Sequence, residues 1–140
     1  RFAVREGRLA DAAAMLGRPY SVRDTVIRGR GVGHTLDVAT ANLQPSTEVL
    51  PPNGVYAVRV KAMGRTFNGV SNLGVHPTFA DAVPDRALLE THLLDFDGDL
   101  YGQTIEVAFL ARLRDERAFA SPEALARQIA DDVRQASRFF

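Results

Sequence analysis

The chain has 140 residues, of which 46% are hydrophobic and 24% charged, with a formal net charge of zero. That length and composition suit one globular domain and exclude intrinsic disorder, and the zero net charge leaves no global field to draw in nucleic acid or an anionic membrane. With no cysteine, disulfides, thiolate catalysis and Cys-ligated metal centres are excluded. No apolar run approaches the roughly 20 residues of a membrane span and no signal peptide is visible, which fits a cytoplasmic protein. Lys61 is the only lysine among 17 basic residues, a bias that reads as genome composition. The chain begins with Arg1, which reads as a piece of a longer protein.

In chain order, residues 8–16 predict a short helix. Leu9, Ala12, Ala13 and Leu16 share a stripe, and Gly17 and Pro19 end it. Residues 22–28 and 66–75 are weaker strand candidates. Pro51-Pro52-Asn53-Gly54 and Asp97-Gly98-Asp99 carry turn chemistry. Residues 55–62 alternate, with Tyr56, Val58 and Val60 on one face and Arg59 and Lys61 on the other. Residues 87–95 are apolar on both faces, as a central or barrel strand would be. In 104–112, Ile105, Val107 and Phe109 share an apolar face. The end is helical: Ser121 suits the cap, Pro122 the first position and Glu123 the positive dipole end, while Leu125, Ile129 and Val133 form a buried stripe. Several strands followed by one helix, without βα alternation, predict an antiparallel barrel or sandwich plus helix.

The chemistry-bearing residues each admit two readings. No GxxxxGK[ST] is present, so an ordinary P-loop is excluded. Residues Arg28 to His34, with Gly29, Gly31 and Gly33, are either a solvated turn or a loop whose N–H groups and arginines meet an anion. Thr40 and Asn42 lie on one side of an extended segment. They are either a turn or helix cap, or hard oxygen ligands that phosphate oxygens and waters would complete into a magnesium shell. Glu90 interrupts the apolar run Leu88 to Leu94. It is either exposed on a solvent face or partly shielded from water and suited to general-base work. His34, His76 and His92 lack metal-ligand spacing and read as satisfied or surface residues. Phe79, Phe96, Tyr101 and Phe119 are either core or a stack for a flat ring.

Taken in order, these pieces resemble the riboflavin kinase family. The resemblance spans residues 16–136. It is carried by Leu16-Gly17-Arg18-Pro19-Tyr20, Thr35-Leu36, Thr40-Ala41-Asn42-Leu43, Leu50-Pro51-Pro52-Asn53-Gly54-Val55-Tyr56 and Asn72-Leu73-Gly74-Val75-His76-Pro77-Thr78-Phe79. Further on come Glu90-Thr91-His92-Leu93-Leu94-Asp95-Phe96, Asp99-Leu100-Tyr101-Gly102 and Leu113-Arg114-Asp115-Glu116, then Phe119, Gln128-Ile129 and Asp131. Val4-Arg5, Gly7-Arg8-Leu9 and Ala12 to Tyr20 resemble the junction in bacterial bifunctional FAD synthetases, where an FMN adenylyltransferase domain precedes the kinase domain.

The resemblance implies a mainly β fold, a six-stranded antiparallel Greek-key barrel with a C-terminal helix and a short N-terminal linker helix. Residues 1–17 would be linker left from an upstream domain, and 18–140 the barrel domain. It implies transfer of the ATP γ-phosphate to the ribityl 5′-hydroxyl of riboflavin, giving FMN, with magnesium or another divalent metal. Carried over by motif, Glu90 is the general base, and Thr40 and Asn42 contact metal and nucleotide phosphates. Gly29, Gly31, Gly33 and His34 cover the phosphates. Asp95, Phe96 and Tyr101 contact the nucleotide, and Arg114, Glu116 and Phe119 help hold the flavin. The implied partners are riboflavin, ATP and the upstream adenylyltransferase domain, with neither nucleic acid nor membrane.

The sequence departs from the family at one stretch. Where the family has Gly-Phe-Pro-Thr-Ala-Asn, this chain has Asp37-Val38-Ala39-Thr40-Ala41-Asn42. Proline would pre-set the backbone before Thr40 and Ala39 does not; Asp37 brings a carboxylate where a glycine stands. His34 replaces a frequent arginine. A second reading follows, a catalytically weakened module of the same fold that binds flavin or nucleotide. A third, a nucleic-acid-binding barrel, rests on Arg23, Arg28 and Arg30 and is opposed by the zero net charge.

Overall fold

The computed structural model describes residues 2–27, 39–46, 49–75, 86–96, 98–117 and 121–140. Two short helices, α1 (Phe2–Arg5) and α2 (Leu9–Leu16), precede six strands: β1 (Ser21–Thr25), β2 (Ala39–Leu43), β3 (Gly54–Ala62), β4 (Arg65–Gly74), β5 (Leu88–Leu93) and β6 (Thr104–Arg114). Helix α3 (Pro122–Ala136) follows. The strands form one antiparallel sheet in the order β1-β6-β3-β4-β5-β2. Within it, β6-β3-β4-β5 is a Greek key: three successive neighbours with the fourth strand returning beside the first. The sheet curls until its edges meet. Just past β1, the Ile27 N–H donates to the Asn42 carbonyl at 2.8 Å, a single bridge to β2.

Local chemistry explains several elements. The β3–β4 hairpin turns at Met63-Gly64, with φ of 51° and 71°. Two positive φ values in a two-residue loop match the right-handed twist of the flanking strands. Ser121 caps α3, its hydroxyl accepting from the Ala124 N–H at 3.1 Å, and Pro122 opens the helix. Helix α2 stops at Gly17, which is left-handed at φ 76°. Its stripe is narrower than the spacing predicts: Leu9 and Ala12 are buried, whereas Leu16 is 55% exposed.

The sheet is apolar on both faces. Inside the curl, Tyr56, Val58, Val60, Leu73, Leu89, Leu93, Ile105, Val107 and Phe109 pack with Ala41 and Leu43. Tyr56 meets Phe109 edge to face at 5.2 Å. Outside, Val55, Ala57 and Val70 are covered by Val133 and Ala136 of α3. This second layer buries Val55 and Ala57 on the outer face of β3 as well as Tyr56, Val58 and Val60 on its inner face. Thr40-Ala41-Asn42, which local spacing also allowed as a turn or cap, is the body of strand β2.

Candidate active site

Strand β5 lies between β4 and β2, and its register puts three polar side chains in one row. Asn72 of β4 pairs with Glu90, and Glu90 pairs with Asn42 of β2. One step along, Val70, His92 and Thr40 form the next row. Cross-strand partners share a face, and that face alternates with the inward Ala41, Leu73, Leu89 and Leu93. The polar rows therefore stand on the outer face, beside the layer covered by α3.

The contacts are specific. The Thr40 hydroxyl lies 3.3 Å from His92 Nδ1. His92 Nε2 lies 3.5 Å from Glu90 Oε1. His92 is buried, and burial pushes its pKa below the usual imidazole value, with the nearby carboxylates of Glu90 and Asp132 pulling weakly the other way. The Glu90 side chain keeps 29% exposure, so it is partly sheltered and still reaches solvent. Asn42 is only 5% exposed. Its Oδ1, like that of Asn72, is buried without a hydrogen-bond partner among the described residues. Two orphaned amide oxygens on either side of a carboxylate are costly unless something else satisfies them.

A second cluster braces the end of β6. Arg114 grips the buried Asp132 of α3 through Nε–Oδ1 and Nη2–Oδ2, both 2.8 Å. Gln128 Nε2 adds 3.0 Å to the same carboxylate, and Arg114 Nη1 reaches the Asp115 carbonyl at 2.9 Å. The Arg114 guanidinium faces α3 and, through the Asp115 carbonyl, holds the chain leading to Glu116. Glu116 lies over Gly74, on the Asn72 face of β4; a Cβ at position 74 would overlap its carboxylate.

Asp95, Phe96 and Tyr101 lie beyond the C-terminal end of β5. Asp95 is exposed in a left-handed turn at φ 56°. Phe96 packs edge to face on Phe67 at 5.1 Å and faces the inner core. Tyr101 is 46% exposed, and its N–H donates to Asp99 Oδ1 at 2.9 Å. Gly29, Gly31, Gly33, His34 and Phe119 lie outside the described residues. The structure thus brings Thr40, Asn42 and Glu90 together and adds Asn72, His92 and Asp132, to which sequence reasoning gave no role. Asp132 had a signal: it falls three residues after Ile129 on the apolar side of α3. For Asn72 and His92 the only signal was their place inside the family motifs, since their cross-strand neighbours are set by register.

The fold and the site define a class: a Greek-key barrel domain with a polar site on its outer face where β4, β5 and β2 adjoin. A riboflavin kinase (flavokinase) family model matches residues 16–140. The chain belongs to the riboflavin kinase family. It is 37% identical, over its whole length, to a bifunctional riboflavin kinase/FMN adenylyltransferase of Bacillus subtilis, covering 45% of that protein. A protein of the same description from Escherichia coli K12 is 40% identical, with 100% of this chain and 44% of that protein covered. One from Haemophilus influenzae is 42% identical over 92% of this chain and 41% of its own length. The chain therefore spans under half the length of these curated relatives. A crystal structure described as a macrolide-efflux protein from Streptococcus pneumoniae superposes with a TM-score of 0.86 at 30% identity, covering 99% of this chain and 45% of that one. Among the described residues, no helix is long and apolar enough to cross a membrane.

Proposed function

We propose that this domain is a riboflavin kinase, moving the γ-phosphoryl group of ATP to the 5′-hydroxyl of the ribityl chain to form FMN. The observation that carries the reading is the Asn72–Glu90–Asn42 row beside Thr40, in a chain of this family. Phosphoryl transfer asks the protein mainly for positioning and charge neutralisation. Glu90, partly sheltered and still 29% exposed, orients the hydroxyl and accepts its proton. The orphaned Asn72 oxygen accepts from a neighbouring hydroxyl of the polyol.

Thr40 Oγ1 and Asn42 Oδ1 supply hard oxygens suited to magnesium. The fit rests on the unpartnered, buried Asn42 oxygen. Among the described residues no group of three or more His, Asp or Glu is arranged to hold a metal, so phosphate oxygens would complete the shell. Once bound, the ion would neutralise phosphate charge. In this reading Gly29, Gly31, Gly33 and His34 cover the phosphates, and Asp95, Phe96 and Tyr101 meet the nucleotide. Glu116 and Phe119 border the flavin, and Arg114 holds their loop. Residues 1–17 form a linker to an upstream FMN adenylyltransferase domain, 18–140 the kinase barrel, and the whole works in the cytoplasm.

The test is direct. The protein is incubated with riboflavin, ATP and magnesium, and products are separated by chromatography. FMN formation that requires all three supports the proposal. Tight riboflavin or ADP binding without FMN would favour the weakened module suggested by Asp37-Val38-Ala39.

A further inference from the structure

Among the site's side chains, His92 touches both sets of proposed machinery. It is 6% exposed. One ring nitrogen faces the Thr40 hydroxyl at 3.3 Å, and the other faces Glu90 Oε1 at 3.5 Å. Its strand neighbour on β2 is Thr40 itself, and its neighbour on β4 is Val70. The ring is therefore wedged in the sheet and cannot turn away without breaking the outer layer. An ionised carboxylate can only accept hydrogen bonds, so the nitrogen facing Glu90 carries the proton. In a neutral ring the other nitrogen is then an acceptor, and the Thr40 hydroxyl must donate to it.

This arrangement has a consequence for both partners. A Thr40 hydroxyl committed to donating toward His92 turns its lone pairs outward, where a cation or a water bound to phosphate would be met. A Glu90 carboxylate with one oxygen facing the ring at 3.5 Å leaves its other oxygen to meet an incoming group. We propose that His92 is a positioning residue that couples the two halves of the site, aiming the Thr40 lone pairs and the Glu90 carboxylate at the same point through one Nε2-protonated imidazole. The inference rests on the riboflavin kinase reading given above for Thr40 and Glu90. It adds a residue whose own atoms need not touch substrate.

Two substitutions separate the arms. His92→Asn keeps an amide near the Nδ1 position and loses the link to Glu90. His92→Gln reaches the Nε2 position and loses the link to Thr40. The asparagine variant is expected to lower kcat by about 10- to 100-fold with little change in the KM for MgATP, the scale of a small misalignment at the reacting atoms. The glutamine variant is expected to raise the KM for MgATP and to weaken Mn2+ binding in the presence of ADP, read by electron paramagnetic resonance, several-fold or more. Long-range 1H–15N spectra of the unaltered protein are expected to show an Nε2-protonated ring, identified by its loss in the glutamine variant. The proposal is overturned if both variants keep wild-type kcat, KM and Mn2+ affinity. It is equally overturned if kcat falls in both only in proportion to a drop in melting temperature, or if the ring is protonated at Nδ1. Failure of the unaltered protein to make FMN would instead overturn the function itself, and the spectra would still decide the His92 geometry.

Discussion

Gly74 and Glu116 occupy neighbouring halves of one space: the carboxylate of Glu116 lies where a side chain at position 74 would begin. Gly74 ends β4, two residues after Asn72, while Glu116 follows β6. Gly74→Ala would push the carboxylate and its loop away from the site. The expected outcome is a riboflavin KM raised about tenfold, the equivalent of about 1.4 kcal/mol, with the ATP KM little changed. Steady-state kinetics with each substrate varied in turn checks this. Equal effects on both substrates would argue against a flavin-side role for Glu116.

Arg114 and Asp132 form a bidentate pair with side-chain exposures of 21% and 4%. Removing one partner of a buried pair leaves a charge without compensation, at a cost of about 3–5 kcal/mol. Arg114→Leu should therefore destabilise the domain by about that amount in urea unfolding. The double variant R114L/D132L should recover much of the loss, since both charges then disappear. A double variant no better than the single would show that the loss does not come from the stranded Asp132 charge.

His92 also shapes the dependence of stability on pH. Burial lowers its pKa in the folded state below the ordinary value of about 6.5. As pH falls below about 6.5, the unfolded chain takes up a proton that the folded chain resists. The unfolded state then binds more protons, so stability is fully present above that pH and is lost progressively toward the folded pKa. Urea midpoints at pH 7.5 and 5.5 should show the decline, and His92→Gln should flatten it. An unaltered slope in that variant would assign the decline to other groups.

Glu90→Gln keeps the shape of the side chain and removes its capacity to take a proton. Turnover should fall about 100- to 10,000-fold, with the melting temperature nearly unchanged because the residue is partly exposed. Asn72→Ala should raise the KM for riboflavin while leaving the affinity for lumiflavin, which lacks the ribityl chain, as it was. Loss of lumiflavin affinity in that variant would place Asn72 under the ring instead of the polyol.

What the sequence determined by itself was what neighbouring residues decide. Alternation is a property of successive side chains, so β3 and β6 were legible in Tyr56-Val58-Val60 and Ile105-Val107-Phe109. Capping is equally local, and Ser121-Pro122-Glu123 announced α3. The ordered motifs from Leu16 to Asp131 added the family and, through it, named Thr40, Asn42 and Glu90 as candidates. Tertiary structure decided the rest. Whether Thr40-Ala41-Asn42 was a turn or a strand depended on β5 lying beside it. The inward turn of Phe96 depended on Phe67. The Asn72–Glu90–Asn42 row, the contact of His92 with Thr40 and the grip of Asp132 on Arg114 join residues many positions apart, and a one-residue slip in a strand would send its side chains to the opposite face. Register is an outcome of packing the whole sheet on its two apolar layers, which no local spacing in this chain encodes.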